Sequence, residues 1–520
     1  MDRIAPPLLL VVALLVGSAP TSPTARGHSH ADHSHAGVGD LSEDYLARLG
    51  SEVLIQNEAD PSGRAGSGGR AVVHRPGGER IPAPDLVSKA PDPRLYRTGA
   101  PSFEPTLGVT KSGTIFFNGF VAGADHLGRP AEISPPQVLA SFDDGATWKT
   151  VFQEHPFTAD PYLYVDPDTS RVFTNNYGPP CHFISFSDDG GKEWSQLSPR
   201  ACEINDHQTL FAGPAPKGGE KPEGYRNVVY FCGIGGGNGP ASFRSMCTRS
   251  LDGGVTFSVT GEPAFVDDPS QRGDYGVPGN CNGGNGHGFV GSDGTVYLPR
   301  GWCGQPWLAT SRDEGATWTR TQVADNGMPC CAEELGTEID ISSHEAGVVA
   351  DGAGRIYYVW VAADRLPYLS VSRDGGKTWG KPLMIGYPGI KEALLPGIAI
   401  GKRGGIAVVY MGSDNSPWNG TEVDGSYEDA RWNAYITMST NAAATRPIFY
   451  SATINSPAHP MWIGRCGPDP IKCAWGDFFD VIVAGDGTPW AALVDLCEQE
   501  DCSRGFGEGV VGRLVGGPSL

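Results

Sequence analysis

Basic residues are scarce in this chain. Lys and Arg number 39 against 59 Asp and Glu, which gives a formal net charge of −20 over 520 residues. Because negative charge repels phosphate backbones and anionic headgroups, nucleic acids and anionic membranes are excluded as main partners. Long apolar runs are also lacking, since the run from Ile4 to Val16 is too short to span a bilayer and no later run is longer. The sequence therefore predicts no membrane span.

The N-terminal residues are typical of a targeting segment. The run to Val16 follows Asp2-Arg3 and precedes small residues, which predicts a secretory signal peptide over residues 1–27 and a secreted protein. Residues 28–100 are predicted to be a flexible His-rich and Gly/Pro-rich segment with one short amphipathic helix between Asp40 and Gln56. The four histidines between His28 and His35 could bind Zn or Cu, or belong to a solvated tail.

Cysteine is absent from the first 180 residues, and all 12 cysteines follow. An even number in an exported chain predicts disulfides, although each could instead be a buried free thiol. No Cys lies near the signal peptide, so a lipid anchor on cysteine is not expected. Pairing of neighbours along the chain, with Cys330 and Cys331 left adjacent, predicts the bridges Cys181–Cys202, Cys232–Cys247, Cys281–Cys303, Cys466–Cys473 and Cys497–Cys502.

One eight-residue pattern, S-x-D-x-G-x-T-W, recurs along the chain. Its central residues are Asp143, Asp189, Asp252, Asp313 and Asp374, with a degenerate copy at Asn441. They lie 46 to 67 residues apart, which is typical of a repeat architecture. In such a turn Asp accepts backbone hydrogen bonds, Gly permits a positive φ and the aromatic residue is buried. We therefore predict a structural role for these aspartates.

Short β-rich runs surround these turns. A run of β-branched and aromatic residues of the kind seen at Arg355 to Val359 occurs seven times. Four short strands per repeat predict an all-β propeller over residues 101–520, with seven blades of four antiparallel strands or, alternatively, six. The last repeat, Trp475 to Val515, lacks the turn pattern, so an N-terminal strand could complete it.

The repeated turn resembles the Asp-box, or bacterial neuraminidase (BNR) repeat. Asp-boxes occur in sialidases, in other secreted glycoside hydrolases and in non-catalytic propellers of the sortilin type. The resemblance extends over about residues 100 to 515 and implies a sialidase-like propeller, but it leaves the activity open.

Propeller topology predicts which end of the blades binds a ligand. Each innermost strand begins at the end, here called the top face, that also contains the connection between the second and third strands; the repeated turns lie at the opposite end. Acidic and imidazole residues predicted near the strand starts are Glu104, Asp160, His207, His287, His344, Glu345, Glu392 and Asp477. Residues predicted in the facing connections are Arg300, Trp302, Arg365, Trp418, Tyr427 and Arg431.

Three interpretations of this set are open. The carboxylates could act as acid and as base or nucleophile in glycoside cleavage. Carboxylates with His207, His287 or His344 could bind a divalent cation, although no cofactor is required. Alternatively, the carboxylates could accept backbone hydrogen bonds and close the central channel with water. The catalytic candidates are Glu104, Asp160, Glu345 and Glu392.

The resemblance to sialidases implies further roles. Sialidases bind the sugar carboxylate with clustered arginines and use a tyrosine nucleophile activated by Glu. Their first arginine belongs to an F/Y-R-I-P pattern, but Phe103-Glu104-Pro105-Thr106 stands in that position and Arg80-Ile81-Pro82 lies in the linker. Glu104 would repel a sugar carboxylate, so exo-sialidase activity is doubtful. Residues that could provide the other roles are Tyr427, Glu428, Arg365 and Arg431.

Two functions fit the sequence. The first is a secreted, sialidase-like glycoside hydrolase that acts on extracellular carbohydrate and binds it through the top-face His, Arg and Trp side chains. The second is a non-catalytic propeller that binds glycan, cell wall or protein on the same face. Its stacking platforms would be Trp302, Trp307, Trp418 and Trp432. We expect a monomer in either case.

Overall fold

Among the described residues, almost all of the regular secondary structure is antiparallel β-strand. The computed structural model describes residues 55–56, 69–120, 136–153, 159–178, 181–195, 198–202, 204–235, 244–266, 284–302, 305–325, 346–464, 476, 478–497 and 507–520. The predicted signal peptide, the His-rich stretch and most of the predicted helix lie outside these residues.

The strands form seven sheets. The first elements are β1 (Ile55–Gln56), β2 (Ala71–His74), the one-turn helix α1 (Pro84–Val87) and β3 (Asp92–Pro101). Blade one contains β4 (Leu107–Val109), β5 (Ile115–Gly119), β6 (Gln137–Ser141) and β7 (Thr147–Gln153). Blade two contains β8 (Ala159–Val165), β9 (Val172–Gly178), β10 (Cys181–Ser187) and β11 (Ser198–Pro199). Blade three contains β12 (Ile204–Gly213), β13 (Val228–Gly235), β14 (Arg244–Ser250) and β15 (Ser258–Val259).

The remaining blades follow the same order. Blade four contains β16 (Phe289–Val290), β17 (Val296–Trp302), β18 (Gln305–Ser311) and β19 (Thr319–Gln322). Blade five contains β20 (Gly347–Ala350), β21 (Ile356–Val361), β22 (Pro367–Ser372) and β23 (Leu383–Met384). Blade six contains β24 (Glu392–Ile400), β25 (Ile406–Ser413), β26 (Arg431–Ser439) and β27 (Phe449–Thr453), with β28 (Trp462–Ile463) paired to β26. Blade seven contains β29 (Asp480–Val483), β30 (Pro489–Asp495) and β31 (Glu508–Val515).

The blades form a closed ring. Each innermost strand contacts the innermost strand of the next blade, and β29 of the last blade contacts β4 of the first. The predicted seven-bladed all-β propeller is therefore confirmed, and the six-bladed alternative is wrong. Seven sheets pack side by side because a single four-stranded sheet cannot bury both of its faces.

The second strand of each blade provides much of the core. Every residue of β13, β21, β25 and β30 is buried. These strands lie inside a sheet with another blade on each face, so both sides of the strand favour apolar, β-branched and aromatic residues. This double burial explains why the seven runs are the clearest strand signals in the sequence.

Blade seven is completed from the N-terminal side. Its fourth strand is β3, which pairs antiparallel with β31 from Asp92↔Val515 to Pro101↔Glu508. Strand β3 lies before the predicted domain boundary at residue 101, so the propeller begins earlier than the sequence indicated. The edge of β31 would otherwise remain unpaired, and β3 covers it.

Two shorter strands extend other blades. Strand β2 pairs with β27 on the outside of blade six, and Ile55–Gln56, at the end of the predicted helix, pairs with β7 of blade one. Residues 69–100 are thus part of the folded propeller. Their Gly and Pro residues led the sequence analysis to treat them as a linker, because pairing with a distant strand leaves little local signal.

The repeated turns join the third and fourth strands, at the end opposite the top face. In the copy at Asp313, the carboxylate accepts hydrogen bonds from Ser311 Oγ at 2.8 Å and from the Thr317 N–H at 2.9 Å. Ser311 Oγ also accepts the Gly315 N–H at 2.8 Å. In the equivalent turn the Thr378 hydroxyl, with its backbone N–H, lowers the pKa of Asp374 to about 2. Each turn is therefore closed by its own side chains.

We expect Asp313→Ala to lower the free energy of unfolding by about 1–2 kcal/mol, because several turn donors lose their acceptor. Urea unfolding followed by tryptophan fluorescence measures this change. The control is Glu428→Ala, which removes an exposed carboxylate and should change stability by less than about 0.5 kcal/mol. Equal effects of the two substitutions would contradict a stabilising role for the Asp313 carboxylate.

Two disulfides lie within the described residues, Cys181–Cys202 and Cys232–Cys247. Both match predicted bridges, and these two predictions are confirmed. Each of the other three predicted bridges includes a cysteine outside the described residues. Within the described part of the chain, no helix is long and apolar enough to cross a membrane.

Candidate functional site

The top face of blade six contains a hydrogen-bonded group of side chains. Glu392 is the first residue of β24 and pairs with Ser413 at the end of β25. The connection between β25 and β26, residues 414–430, leaves from this same end. Because antiparallel pairing brings the start of β24 beside the end of β25, this connection folds back over the Glu392 side chain.

The Glu392 carboxylate is enclosed by donors. Only 1% of the residue is exposed. Its Oε1 accepts a hydrogen bond from Arg365 Nη1 at 2.6 Å, and its Oε2 accepts one from Ser416 Oγ. The Tyr427 hydroxyl lies 3.0 Å from Oε2 and 3.2 Å from Oε1. A carboxylate that accepts from three donors, one of them a guanidinium, is well stabilised as an anion.

Tyr427 is the second member of the group. Besides donating to Glu392, its oxygen accepts a hydrogen bond from Arg365 Nη1 at 2.9 Å. Burial, followed by the negative charge of Glu392, raises the pKa of Tyr427 to about 12, against the opposing effect of Arg365. The phenol is therefore protonated at neutral pH. Its proton already points at a carboxylate that could accept it.

Arg365 connects blades five and six. It lies in the tight turn between β21 and β22 with a φ of 61°, and its carbonyl accepts the Ala393 N–H at 2.7 Å. Its guanidinium lies 3.9 Å from the centre of the Trp418 ring, while Trp418 Nε1 donates to Asp364 O at 2.9 Å. One ring face of Trp418 is thus covered by Arg365, so Trp418 holds the arginine in place.

The structure brings together four of the predicted residues, Glu392, Tyr427, Arg365 and Trp418. The carboxylate beside Tyr427 is Glu392, whereas Glu428, its expected partner from the sequence, is exposed. Sequence reasoning missed Ser416. No motif marks it, and its role depends on how the 414–430 connection folds. Its hydroxyl donates to Glu392 and accepts the Trp418 N–H at 3.1 Å.

A second group lies where the innermost strands of several blades meet. His287 Nδ1 is 3.3 Å from Asp480 Oδ1, and its ring packs edge-on against Tyr162 and Phe478 with centroid distances of 5.3 and 5.0 Å. Asp480 Oδ2 also accepts the Leu107 N–H at 3.2 Å. Asp480, the first residue of β29, is three positions beyond the predicted strand-start residue Asp477, which lies outside the described residues.

The other predicted residues are dispersed. Glu104 precedes β4, is buried and has a φ of 49°. Arg300 is 0% exposed and donates to Ser245 Oγ at 2.9 Å. His207 lies in β12 with a φ of 47°, and the Arg431 side chain at the start of β26 is exposed. The side chains of Asp160 and Trp302, and residue Glu345 altogether, lie outside the description. Their roles stay predictions.

A metal centre was one of the open interpretations. Among the described residues, no group of three or more His, Cys, Asp or Glu side chains is arranged to hold a metal ion. His344 lies outside them.

Comparisons with known proteins found only remote similarities. No protein-family model and no curated protein sequence matches this chain. Among solved structures, a protein of unknown function from Dyadobacter fermentans matches with a TM-score of 0.40 and 14% identity over 86% of this chain and 99% of that chain. An alpha-L-arabinanase from Penicillium chrysogenum matches with a TM-score of 0.40 and 12% identity over 69% and 94%.

A third similar structure is the intramolecular trans-sialidase from Ruminococcus gnavus. It matches with a TM-score of 0.39 and 12% identity over 81% of this chain and 95% of that chain. Identities and TM-scores as low as these are insufficient to transfer a substrate or a residue role to this chain.

Proposed function

We propose that this chain is a secreted, monomeric glycoside hydrolase of the sialidase-like propeller type that acts on extracellular carbohydrate. The observation that supports this most strongly is the contact of the Tyr427 hydroxyl with Glu392 and Arg365 on the top face. A tyrosine nucleophile needs such neighbours, because a carboxylate can take the phenol proton and a guanidinium can stabilise the resulting oxyanion.

In the proposed reaction, the Tyr427 oxygen attacks the anomeric carbon while its proton passes to Glu392 Oε2, 3.0 Å away. Because the pKa of Tyr427 is raised to about 12, this transfer accompanies the attack. The bond to the leaving oxygen breaks, and that oxygen takes a proton from an acid. Candidates for this acid are Asp160 and Glu345. Water then cleaves the glycosyl–tyrosine bond and gives one proton to the carboxylate left by the acid, while Glu392 returns its proton to the Tyr427 oxygen.

One observation favours the alternative, a propeller that binds glycan, cell wall or protein without cleaving it. Glu392 is almost fully buried and its oxygens are engaged by Arg365, Ser416 and Tyr427. In that case the group would serve to fasten the 414–430 connection to the blades. Of the four tryptophans predicted to stack on a ligand, Trp418 and Trp432 are buried, so they offer little ring surface for this purpose.

A panel of fluorogenic pyranosides and furanosides, including an α-sialoside, tests the proposal on the full chain. We expect turnover of at least one sugar by the wild type and its loss in Glu392→Gln. A fluorinated, activated analogue of that sugar should form a covalent adduct, which peptide mass spectrometry should place on Tyr427. Binding to a glycan array without turnover of any glycoside would favour the binding function instead.

Neutral glycosides are expected to be better substrates than sialosides. The charge of Arg365 is balanced by Glu392 at 2.6 Å, and Glu104 adds a negative charge on the same face. Repulsion of about 1.4 kcal/mol would lower kcat/KM tenfold for an anionic sugar. Substrates that share one fluorogenic leaving group measure the ratio. A sialoside turned over faster than every neutral sugar would contradict the expected charge preference without affecting the role of Tyr427.

A further inference from the structure

A chain of buried side-chain hydrogen bonds crosses blade six and ends on β2. Its members are Tyr410, Thr437, Ser451 and His74, none more than 1% exposed. Tyr410 OH lies 3.1 Å from Thr437 Oγ1, which lies 2.7 Å from Ser451 Oγ. Ser451 Oγ lies 2.7 Å from His74 Nε2. The chain therefore links the second, third and fourth strands of the blade to the additional strand outside it.

The direction of every bond in the chain can be deduced. The Tyr387 N–H donates to the Tyr410 oxygen at 2.8 Å. The buried Tyr410 hydroxyl proton also needs an acceptor, and among the described residues the Thr437 hydroxyl is in place to accept it. Thr437 then donates to Ser451, and Ser451 donates to His74 Nε2. At the far end, His74 Nδ1 is 2.9 Å from Arg75 O, which can only accept. His74 is therefore neutral, with its proton on Nδ1.

Protonation of His74 would disrupt this chain. A proton on Nε2 would point at Ser451, whose own proton would have to turn toward Thr437. The reversal would continue to Tyr410, whose oxygen would then accept from both Thr437 and the Tyr387 N–H. The Tyr410 hydroxyl proton would lose its acceptor in a region without solvent, so a buried donor would be left unsatisfied.

His74 belongs to a hairpin that we call the N-terminal strap, residues 69–81. Strand β2 of the strap pairs with β27, from Ala71↔Ala452 to His74↔Phe449. The strap returns through an Ile81 N–H to Val73 O bond of 2.8 Å, and its tip is held by a Gly77 N–H to Met384 O bond of 2.9 Å. Val73 packs into the core of blade six, but the strap lies at the outer edge of the blade, where local opening requires less free energy than in the central strands.

The surroundings of His74 oppose its protonation. Burial lowers the pKa of His74, the hydrogen bond to the Arg75 carbonyl raises it by less, and the positive charge of Arg80 lowers it further, so the pKa lies below its usual value of 6.5. From the hairpin itself come Arg75, Glu79 and Arg80. The blade contributes the neutral phenols of Tyr410 and Tyr387, whose pKa values burial raises, and β27 contributes only Phe449 and Ser451. No carboxylate is among the groups that shift the pKa of His74.

We propose that the N-terminal strap is a pH-sensitive latch, which is docked on β27 while His74 is neutral and released when His74 gains a proton. The direction of the pH dependence of docking follows from the lowered pKa of His74. Docking is fully stabilised above about pH 6.5, where His74 is neutral whether the strap is docked or open, and this stabilisation is lost as the pH falls toward the lowered value. Release would expose the edge of β27, an unpaired row of backbone groups able to pair with another strand.

Hydrogen exchange of the full chain between pH 7.5 and 5.0 tests the latch. After correction for the intrinsic rate, exchange of the 71–74 and 449–453 amides should rise by up to about 30-fold, the limit for one proton bound below pH 6.5. Peptides from Ile356–Val361, a buried strand of blade five, serve as the internal reference. Unchanged protection of the strap relative to this reference at pH 5.0 would overturn the proposal.

Two variants separate titration of His74 from other effects of acid. His74→Gln keeps an acceptor for Ser451 but cannot titrate, so its strap should show the same protection at both pH values. Tyr410→Phe should keep the acid-induced rise, since Thr437 then becomes the hydroxyl whose proton lacks an acceptor when His74 is protonated. His459→Gln, at an exposed histidine, is the matched control. An acid-induced rise in His74→Gln equal to that of the wild type would refute the latch, even if Tyr410→Phe proves unstable.

Discussion

Tyr427→Phe is expected to lower kcat by at least about 10³-fold toward any glycoside that the wild type cleaves, because the nucleophilic oxygen is removed. KM should change little, since the aromatic ring of the side chain remains. The change removes one oxygen that contacts Glu392 at 3.0 Å and Arg365 at 2.9 Å. Steady-state kinetics with the best fluorogenic substrate measure the effect.

The matched control is Tyr450→Phe, which removes a hydroxyl from the core of the same blade and should leave kcat within about twofold. Glu392→Gln should resemble Tyr427→Phe, because both lack the proton transfer from phenol to carboxylate. If Tyr427→Phe retained kcat within tenfold while Glu392→Gln lost it, Tyr427 could not be the nucleophile and a carboxylate mechanism would have to replace it.

Arg365→Ala is expected to lower the free energy of unfolding by about 3–5 kcal/mol, because it leaves a buried carboxylate without its cation. Glu392 is 1% exposed and its ion pair with Arg365 is 2.6 Å long. Trp418 also loses the guanidinium 3.9 Å from its ring centre, a contact worth up to about 2 kcal/mol that overlaps with the ion pair. Urea unfolding followed by tryptophan fluorescence measures the loss.

A second substitution shows whether the unpaired charge is the cause. Arg365→Ala combined with Glu392→Gln should recover at least about half of the lost stability, since the amide needs no cation. Arg431→Ala is the control, because its side chain is exposed at the start of β26, directly after the 414–430 connection, and should contribute less than about 0.5 kcal/mol. A loss below about 1 kcal/mol in Arg365→Ala would mean that solvent stabilises Glu392 once the arginine is gone.

Most of the fold could be predicted because its signals are local. The Asp313 turn is closed by hydrogen bonds between residues two to four positions apart, so the residues that form it can be recognised as a pattern in the sequence. Strands such as Ile356–Val361 are buried on both faces and stand out as apolar runs. Strands β2 and β3 gave no such signal, since they are stabilised by pairing with β27 and β31 hundreds of residues away.

The site could be predicted only in part. Strand starts and facing connections indicated Glu392, Arg365, Trp418 and Tyr427 as candidates, because meander topology places them at one end of the blades. Their association could not be deduced. Adjacency in sequence favoured Glu428 as the partner of Tyr427, but the fold of the 414–430 connection turns Glu428 outward and directs the hydroxyl to Glu392. Ser416 and Asp480 were missed for the same reason.

The sequence by itself determined the repeat, the strands and the closed turns. Hydrogen bonds within a few residues, and strands that are buried on both faces, each require a recognisable local pattern of residues. The tertiary structure alone decided which side chains meet. Tyr427 contacts a carboxylate 35 positions away, and Arg365 contacts the same group across 27 positions. His74 and Ser451 are separated by 377 positions. Such contacts depend on how the blades and connections pack, and packing is a property of the whole ring.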